Sequence, residues 1–279
     1  MTQASENLPS FRYFIELTYL GKNYAGWQSQ PNAPSVQSTL ETALSTLLRH
    51  QAFVVGSGRT DAGVHAKQQF AHFDTPTALD LETLHYRLNA LLPADIAVRK
   101  IYPTTTQAHA RYDAKWREYV YVIGLQKNSF LFENVALHHL RQNLDLEKLN
   151  AAAAIFLEYI DFESFSKVKT DVKHFDCTLT EAKWYQQRDF LFFHVKANRF
   201  LRGMVRTMVG TLLKAGAGKL STDELRAILD AKDRKKAGVA APPQGLYLYQ
   251  VHYPDTIFQT EPPLRHTFDA TNFESLPFF

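Results

Sequence analysis

The stretch Gly56-Ser57-Gly58-Arg59-Thr60-Asp61-Ala62-Gly63-Val64-His65 puts a guanidinium and a carboxylate on either side of one residue in a glycine-rich loop. Glycines at 56, 58 and 63 permit a tight turn and close backbone approach. In a sharp turn the side chains of Arg59 and Asp61 can pair, and an adjacent guanidinium holds a carboxylate ionised. An ionised Asp in a shielded cleft can act as a nucleophile or a base. A phosphate loop needs a terminal Gly-Lys-Ser/Thr, which is missing. A dinucleotide fingerprint must open a helix, whereas residues 69–73 read as strand. A structural turn pinned by an Arg–Asp pair fits the spacing equally well.

Arg199, Arg202 and Arg206 recur at intervals of three and four, which predicts one face of a helix over 200–215. Leu201, Met204, Val205, Met208, Val209 and Leu212 supply its buried side. Such an arginine stripe suits phosphate or carboxylate binding, because each guanidinium is a planar donor fork. A solvated surface face fits as well. Lys232, Arg234, Lys235 and Lys236 form a second basic cluster that can track an RNA backbone or simply stay hydrated. In Arg117-Glu118-Tyr119-Val120-Tyr121, strand alternation puts Arg117, Tyr119 and Tyr121 on one face. A tyrosine facing a cleft can stack on a base; core packing is the competing reading. His65 and His72 are seven apart and His138-His139 are adjacent, so neither pair has the spacing of a helical metal site, and no metal is expected. Gly216-Ala217-Gly218-Lys219 reads as a helix stop. The single Cys177 excludes an internal disulfide and a Cys-based zinc cluster, and reads as a small buried hydrophobe.

These groups need elements to hold them. The chain has 279 residues, 45% hydrophobic and 21% charged, which is the composition of a soluble globular protein with one large or two ordinary domains. No apolar run approaches the ~20 residues of a membrane span. The polar residues 1–10 lack a secretory core, so a cytoplasmic location is expected. A net charge of +3 does not by itself mark a nucleic-acid binder. Strands are expected at 11–20, 69–73 and 96–102, with helices between them at 36–50 and 81–92. The pattern then starts again. A strand at 116–125 precedes a helix at 144–160, a hairpin at 178–185 and 190–197, helices at 200–215 and 223–229, and a strand at 246–253. This β-α-β-α-β order in both halves predicts an α+β fold with helices packed on one face. The expected units are 1–108 with the Asp loop, 109–254 with the Tyr strand and Arg helix, and an appended tail, 255–279, that docks on the body.

Together these segments resemble the TruA family of tRNA pseudouridine synthases. The matching blocks are Gly26-Trp27-Gln28 with Val36-Gln37, Gly58 through Ala66, Leu88 through Pro93, and Arg117 through Tyr121. Phe200 through Arg206 with Gly210-Thr211-Leu212, and Ala240 through Leu248, complete the set. The resemblance implies two related α+β halves (β-α-β-α-β order) joined in one extended mixed, mainly antiparallel sheet, with a cleft between them. It implies a homodimer that binds tRNA rather than DNA or a membrane. The implied reaction, without cofactor or metal, converts uridine to pseudouridine at positions 38 to 40 of the anticodon stem-loop. Asp61 would be the nucleophile, Arg59 would hold Asp61 and displace the target base, and Tyr119 would pack on that base. Arg206 would pair with the aspartate and Leu246 would form an apolar wall; Arg199 and Arg202 remain the phosphate grip suggested by their spacing. A non-catalytic tRNA-binding protein of the same fold, a synthase with other target positions and a carboxylate-nucleophile hydrolase are the competing functions.

Overall fold

The computed structural model describes residues 11–129, 134–137, 144–168 and 174–271. The strands are β1 (Phe11–Tyr19), β2 (Val55–Gly56), β3 (His65–Thr75), β4 (Ile96–Thr104), β5 (Trp116–Gly124), β6 (Ala136–Leu137), β7 (Leu179–Gln187), β8 (Phe190–Ala197) and β9 (Leu246–His252). The helices are α1 (Val36–Leu48), α2 (Leu81–Leu91), α3 (Leu146–Ile155), α4 (Met204–Gly216) and α5 (Thr222–Asp230). Residues 1–10 and 272–279 lie outside the described residues, as do His138 and His139.

One mixed sheet runs β4-β1-β3-β9-β5-β8-β7, with β2 added to β3 and β6 to β5. It joins two α+β halves, as expected. The closing strand β9 sits in the middle, antiparallel to β5 and parallel to β3. Its ladder with β3 consists of two residue pairs, His65 with Tyr247 and Ala66 with Leu248. The halves are therefore joined by a short stretch of backbone, and side chains must do the rest.

Local chemistry sets the helix starts. Ser35 caps α1, its hydroxyl accepting from the Ser38 amide at 3.1 Å. Asp145 caps α3 by accepting from the Glu147 and Lys148 amides, so that helix starts later than the predicted 144. It also ends sooner, passing into a single 3₁₀ turn at Phe156–Glu158. On β1, Tyr13, Ile15, Leu17 and Tyr19 are buried beneath α1 and α2, in the core of the first half. Phe14 points to the other face and is buried too. The tail explains this: Phe258 meets the Phe14 ring edge-on at 5.9 Å. Further along, Phe268 stacks on His194 at 4.9 Å and closes a small apolar cluster on the reverse of the second half. With both faces covered, the central strands β3 and β9 are buried along nearly their whole length, polar residues included. Cys177 is buried in the second core, and burial pushes its thiol up to about 12. Among the described residues, no helix is long and apolar enough to cross a membrane.

Candidate active site

Asp61 lies in the loop between β2 and β3. The Val64 amide donates to the Asp61 carbonyl at 3.1 Å and closes a turn in which Gly63 has φ +77°, a conformation that favours glycine. The preceding residue is clamped from the first half. The Thr60 carbonyl accepts from the Trp27 amide at 3.2 Å, and its hydroxyl bonds that of Tyr19 at 2.8 Å. A side chain on Gly26 would put its Cβ 2.4 Å from the Thr60 carbonyl oxygen, so the chain passes this close only as glycine. The Gly-Trp-Gln block therefore braces the Asp loop. After the turn, Val64 is buried in the core of the second half. His65 accepts from the Gly21 amide through Nδ1 at 3.0 Å and bonds the Gln244 carbonyl through Nε2 at 3.2 Å. Burial pushes this histidine down to about 4, so it is neutral at pH 7 and serves as a bolt between segments.

The partners of Asp61 come from the second half. Arg206 NH1 lies 3.3 Å from Oδ2 and Arg202 Nε lies 3.7 Å from Oδ1. Arg206 sits in the first turn of α4 and is itself pinned: its Nε donates to the Ala241 carbonyl at 2.6 Å. The Asp61 side chain is 27% exposed and that of Arg202 is 61% exposed, so both remain open to a ligand. Two expectations are corrected here. The arginines do not form a helical stripe, because α4 begins at Met204. Gly203 adopts φ +72° and the Met204 amide bonds the Leu201 carbonyl, so Arg199 and Arg202 belong to the loop before the helix. The loop sends Arg202 to Asp61 and Arg199 to the His174 ring at 3.0 Å. Nor does Arg59 hold Asp61. It is exposed, and both carboxylate oxygens face cations from the other half instead.

Tyr119 stands on β5 opposite Leu248 of β9 and Val195 of β8. It packs against the cores of both halves, with Phe200 edge-on to its ring at 5.0 Å. Burial pushes its hydroxyl up to about 12, with Arg117 pulling it down and the charge of Asp61 pushing it further up. The phenol therefore stays protonated at pH 7. Leu246 is buried at the start of β9, opposite Tyr121, in the same apolar cluster as Val64. In the second basic cluster, Lys232 pairs with Asp161 at 2.7 Å and Arg234 donates to the Gly238 carbonyl at 3.1 Å, while Lys235 and Lys236 are exposed. Among the described residues, no group of three or more His, Cys, Asp and Glu could hold a metal ion. Sequence reasoning passed over the bracing by Tyr19, His65 and Ala241. Its only local trace was that Ala241 and His65 fell inside recognisable blocks.

A family model for tRNA pseudouridine synthase matches residues 17–113 and 152–254. The chain belongs to this family. Asp61 and Arg59 lie in the first matched span, Arg199, Arg202, Arg206 and Leu246 in the second, and Tyr119 between the two. The chain is 50% identical over 251 residues to the tRNA pseudouridine synthase A of Porphyromonas gingivalis, covering 88% of this chain and 99% of that protein. It is 49% identical over 251 residues to the protein of the same name from Parabacteroides distasonis, covering 90% and 99%. With that of Bacillus subtilis it shares 41% over 239 residues, covering 85% and 97%.

Proposed function

We propose that this tRNA pseudouridine synthase modifies the anticodon stem-loop at positions 38 to 40, with Asp61 as the nucleophile. The observation that carries the reading is Asp61 itself, on a loop braced by one half and facing Arg206 and Arg202 of the other, still partly open. A uridine everted from its stack would present C1′ to this carboxylate. The C1′–N1 bond breaks, by direct attack of Asp61 on the sugar or through a glycal. The uracil leaves as its N1 anion, turns and attacks C1′ through C5, displacing the Asp61 carboxylate on the direct route or adding to the glycal on the other; the C5 proton is lost to solvent or a nearby base and N1 takes one up. Holding the detached base against Leu246 and Tyr119 makes its recapture effectively unimolecular. Tyr119 contributes a face for the base and a hydroxyl that keeps its proton at neutral pH. The outward-facing Arg59 and the exposed Arg202 suit the phosphates flanking an everted nucleotide, and Arg199 a more distant one.

The division at residue 108 between an Asp-bearing half and a half bearing the tyrosine and arginines accords with where the Asp61 partners originate. A homodimer, with tRNA touching both subunits, follows from the resemblance and is checked by light scattering with and without tRNA; the expected cytoplasmic location is checked by cell fractionation. The main test is site-resolved pseudouridine mapping of tRNA transcripts with the parent protein and Asp61→Ala. Pseudouridine at 38 to 40 with the parent alone supports the reading. Modification elsewhere moves the target, and tight tRNA binding without any pseudouridine favours a non-catalytic binding protein.

A further inference from the structure

The β3–β9 ladder at which the two halves meet consists of two residue pairs, and beyond it the Val251 amide of β9 donates to the Gln68 side chain of β3. Arg117, on β5 opposite Val251, lies beside this seam. Its guanidinium meets four backbone carbonyls drawn from separate segments. NH1 donates to Ala114 at 2.8 Å and Asn198 at 2.9 Å. NH2 donates to Arg111 at 2.7 Å and Ser57 at 3.1 Å. The placement of these acceptors is informative. Ser57 enters the loop that carries Asp61. Asn198 enters the loop that carries Arg202 and leads to Arg206. Arg111 and Ala114 belong to the crossing between the halves.

No carboxylate pairs with Arg117 among the described residues, although burial works against its charged form. A cation kept in such a place against its desolvation cost is held by aligned carbonyl dipoles. A planar two-nitrogen fork can reach four carbonyls at once, and a lysine ammonium on a single atom cannot. The ion pair between Asp61 and Arg206 joins residues on opposite sides of this seam, so its length depends on the angle at which the halves meet.

We propose that Arg117 is a positioning residue for the isomerisation: it latches the Asp61 loop to the Arg202 loop and thereby sets the spacing between the nucleophile and its arginine partners. This rests on the reading of Asp61 given under the proposed function. Arg117 touches no reacting atom in this account. Its contribution is the geometry at which the carboxylate meets the sugar, where a misplacement of about 1 Å is enough to cost about 100-fold in rate.

Arg117→Lys keeps the charge and removes the fork. The experiment compares this variant with the parent for kcat and KM of pseudouridine formation on a tRNA transcript, and for thermal melting. The expected result is a loss of about 30- to 100-fold in kcat. KM should stay within about threefold and melting within a few degrees of the parent. A kcat per folded molecule within about threefold of the parent overturns the proposal, as does a loss confined to KM. If the Lys variant does not fold, Arg117→Ala is assayed with added guanidinium ion. Recovery of kcat supports the latch; a protein that regains its fold without regaining kcat, or that never folds, makes Arg117 a folding residue and overturns it. A parent protein that forms no pseudouridine on any transcript would instead sink the functional reading itself.

Discussion

Two carboxylates in this molecule are ringed by basic side chains, and they differ in what is left over. Glu118 follows Arg117 and precedes Tyr119 on β5, but points to the reverse of the sheet. Its side chain is 5% exposed and receives His252 at 2.6 Å and Lys196 at 3.0 Å on one oxygen, with His194 at 2.9 Å on the other. His194 spends its second nitrogen on Glu181 at 3.0 Å, and the Phe268 ring of the tail lies over it. Burial opposes ionisation of Glu118, and hydrogen bonds from His194, His252 and Lys196 overcome it, holding the carboxyl well below the usual range. Asp61 has longer contacts, a 27% exposed side chain and one partner that is mostly in solvent. Saturated pairing makes the first cluster part of the scaffold. Incomplete pairing in the second leaves valences for a substrate.

The largest effects should separate the two sites. Asp61→Ala is expected to reduce pseudouridine formation at least about 10⁴-fold, as loss of a nucleophile does, with melting unchanged or raised. Glu118→Ala should do the reverse. It leaves Lys196 and the buried His194 without their carboxylate and is expected to cost about 3–5 kcal/mol in urea unfolding, while activity per folded molecule stays near that of the parent. An inactive but stable Glu118→Ala protein would break the contrast. Next, Arg206→Lys should lower kcat by about 100-fold, since a preorganised donor beside the reacting group is lost. Arg202→Gln should weaken tRNA binding and flatten its salt dependence by about one ion, as expected for one phosphate contact.

Stability against pH sharpens the picture of the scaffold. Burial pushes both His65 and His72 from 6.5 down to about 4. A histidine with a depressed folded value contributes stability that is complete above about 6.5 and drains as the pH falls towards about 4. Each of these two should account for on the order of 3 kcal/mol over that range. Glu118, held low, adds a contribution present above its unfolded value and lost only as the pH falls through its depressed folded value. His194 moves oppositely. Its bonds to Glu118 and Glu181 outweigh burial and push it up, so its contribution is complete below about 6.5 and is lost as the pH rises through its folded value. Urea unfolding should therefore show greatest stability near neutral pH, and His72→Asn should flatten the acid limb. The smallest effect is expected at Arg199, whose guanidinium faces His174. Arg199→Gln should change turnover by no more than about threefold, because an exposed contact of this kind is worth little.

The places where sequence and structure part company are instructive. The strand at β1, alternation on β5 and the hairpin at β7 and β8 were legible because each is written in residues a few positions apart. The Asp loop was legible as a motif, since a tight turn demands its glycine locally. The start of α4 was not. Leu201, Met204, Val205 and Met208 keep helical spacing across Gly203, and a turn before the helix preserves that spacing while redirecting Arg199 and Arg202. The partner of Asp61 was misread for a related reason. Arg59 is two residues away in the chain, but the loop holds it outward, and a charge brought in by tertiary packing took its place.

By itself the amino-acid sequence determined the element types, the tight glycine turn around Asp61 and membership in a family of RNA-modifying enzymes, because short-range sterics and apolar periodicity act within a few residues. Only the tertiary structure decided that the last strand lies at the centre of the sheet, that the tail seals its reverse face, and that Arg206, 145 residues away in the chain, meets Asp61. Contacts across such separations depend on how two cores pack at a narrow seam, and no local pattern carries that angle.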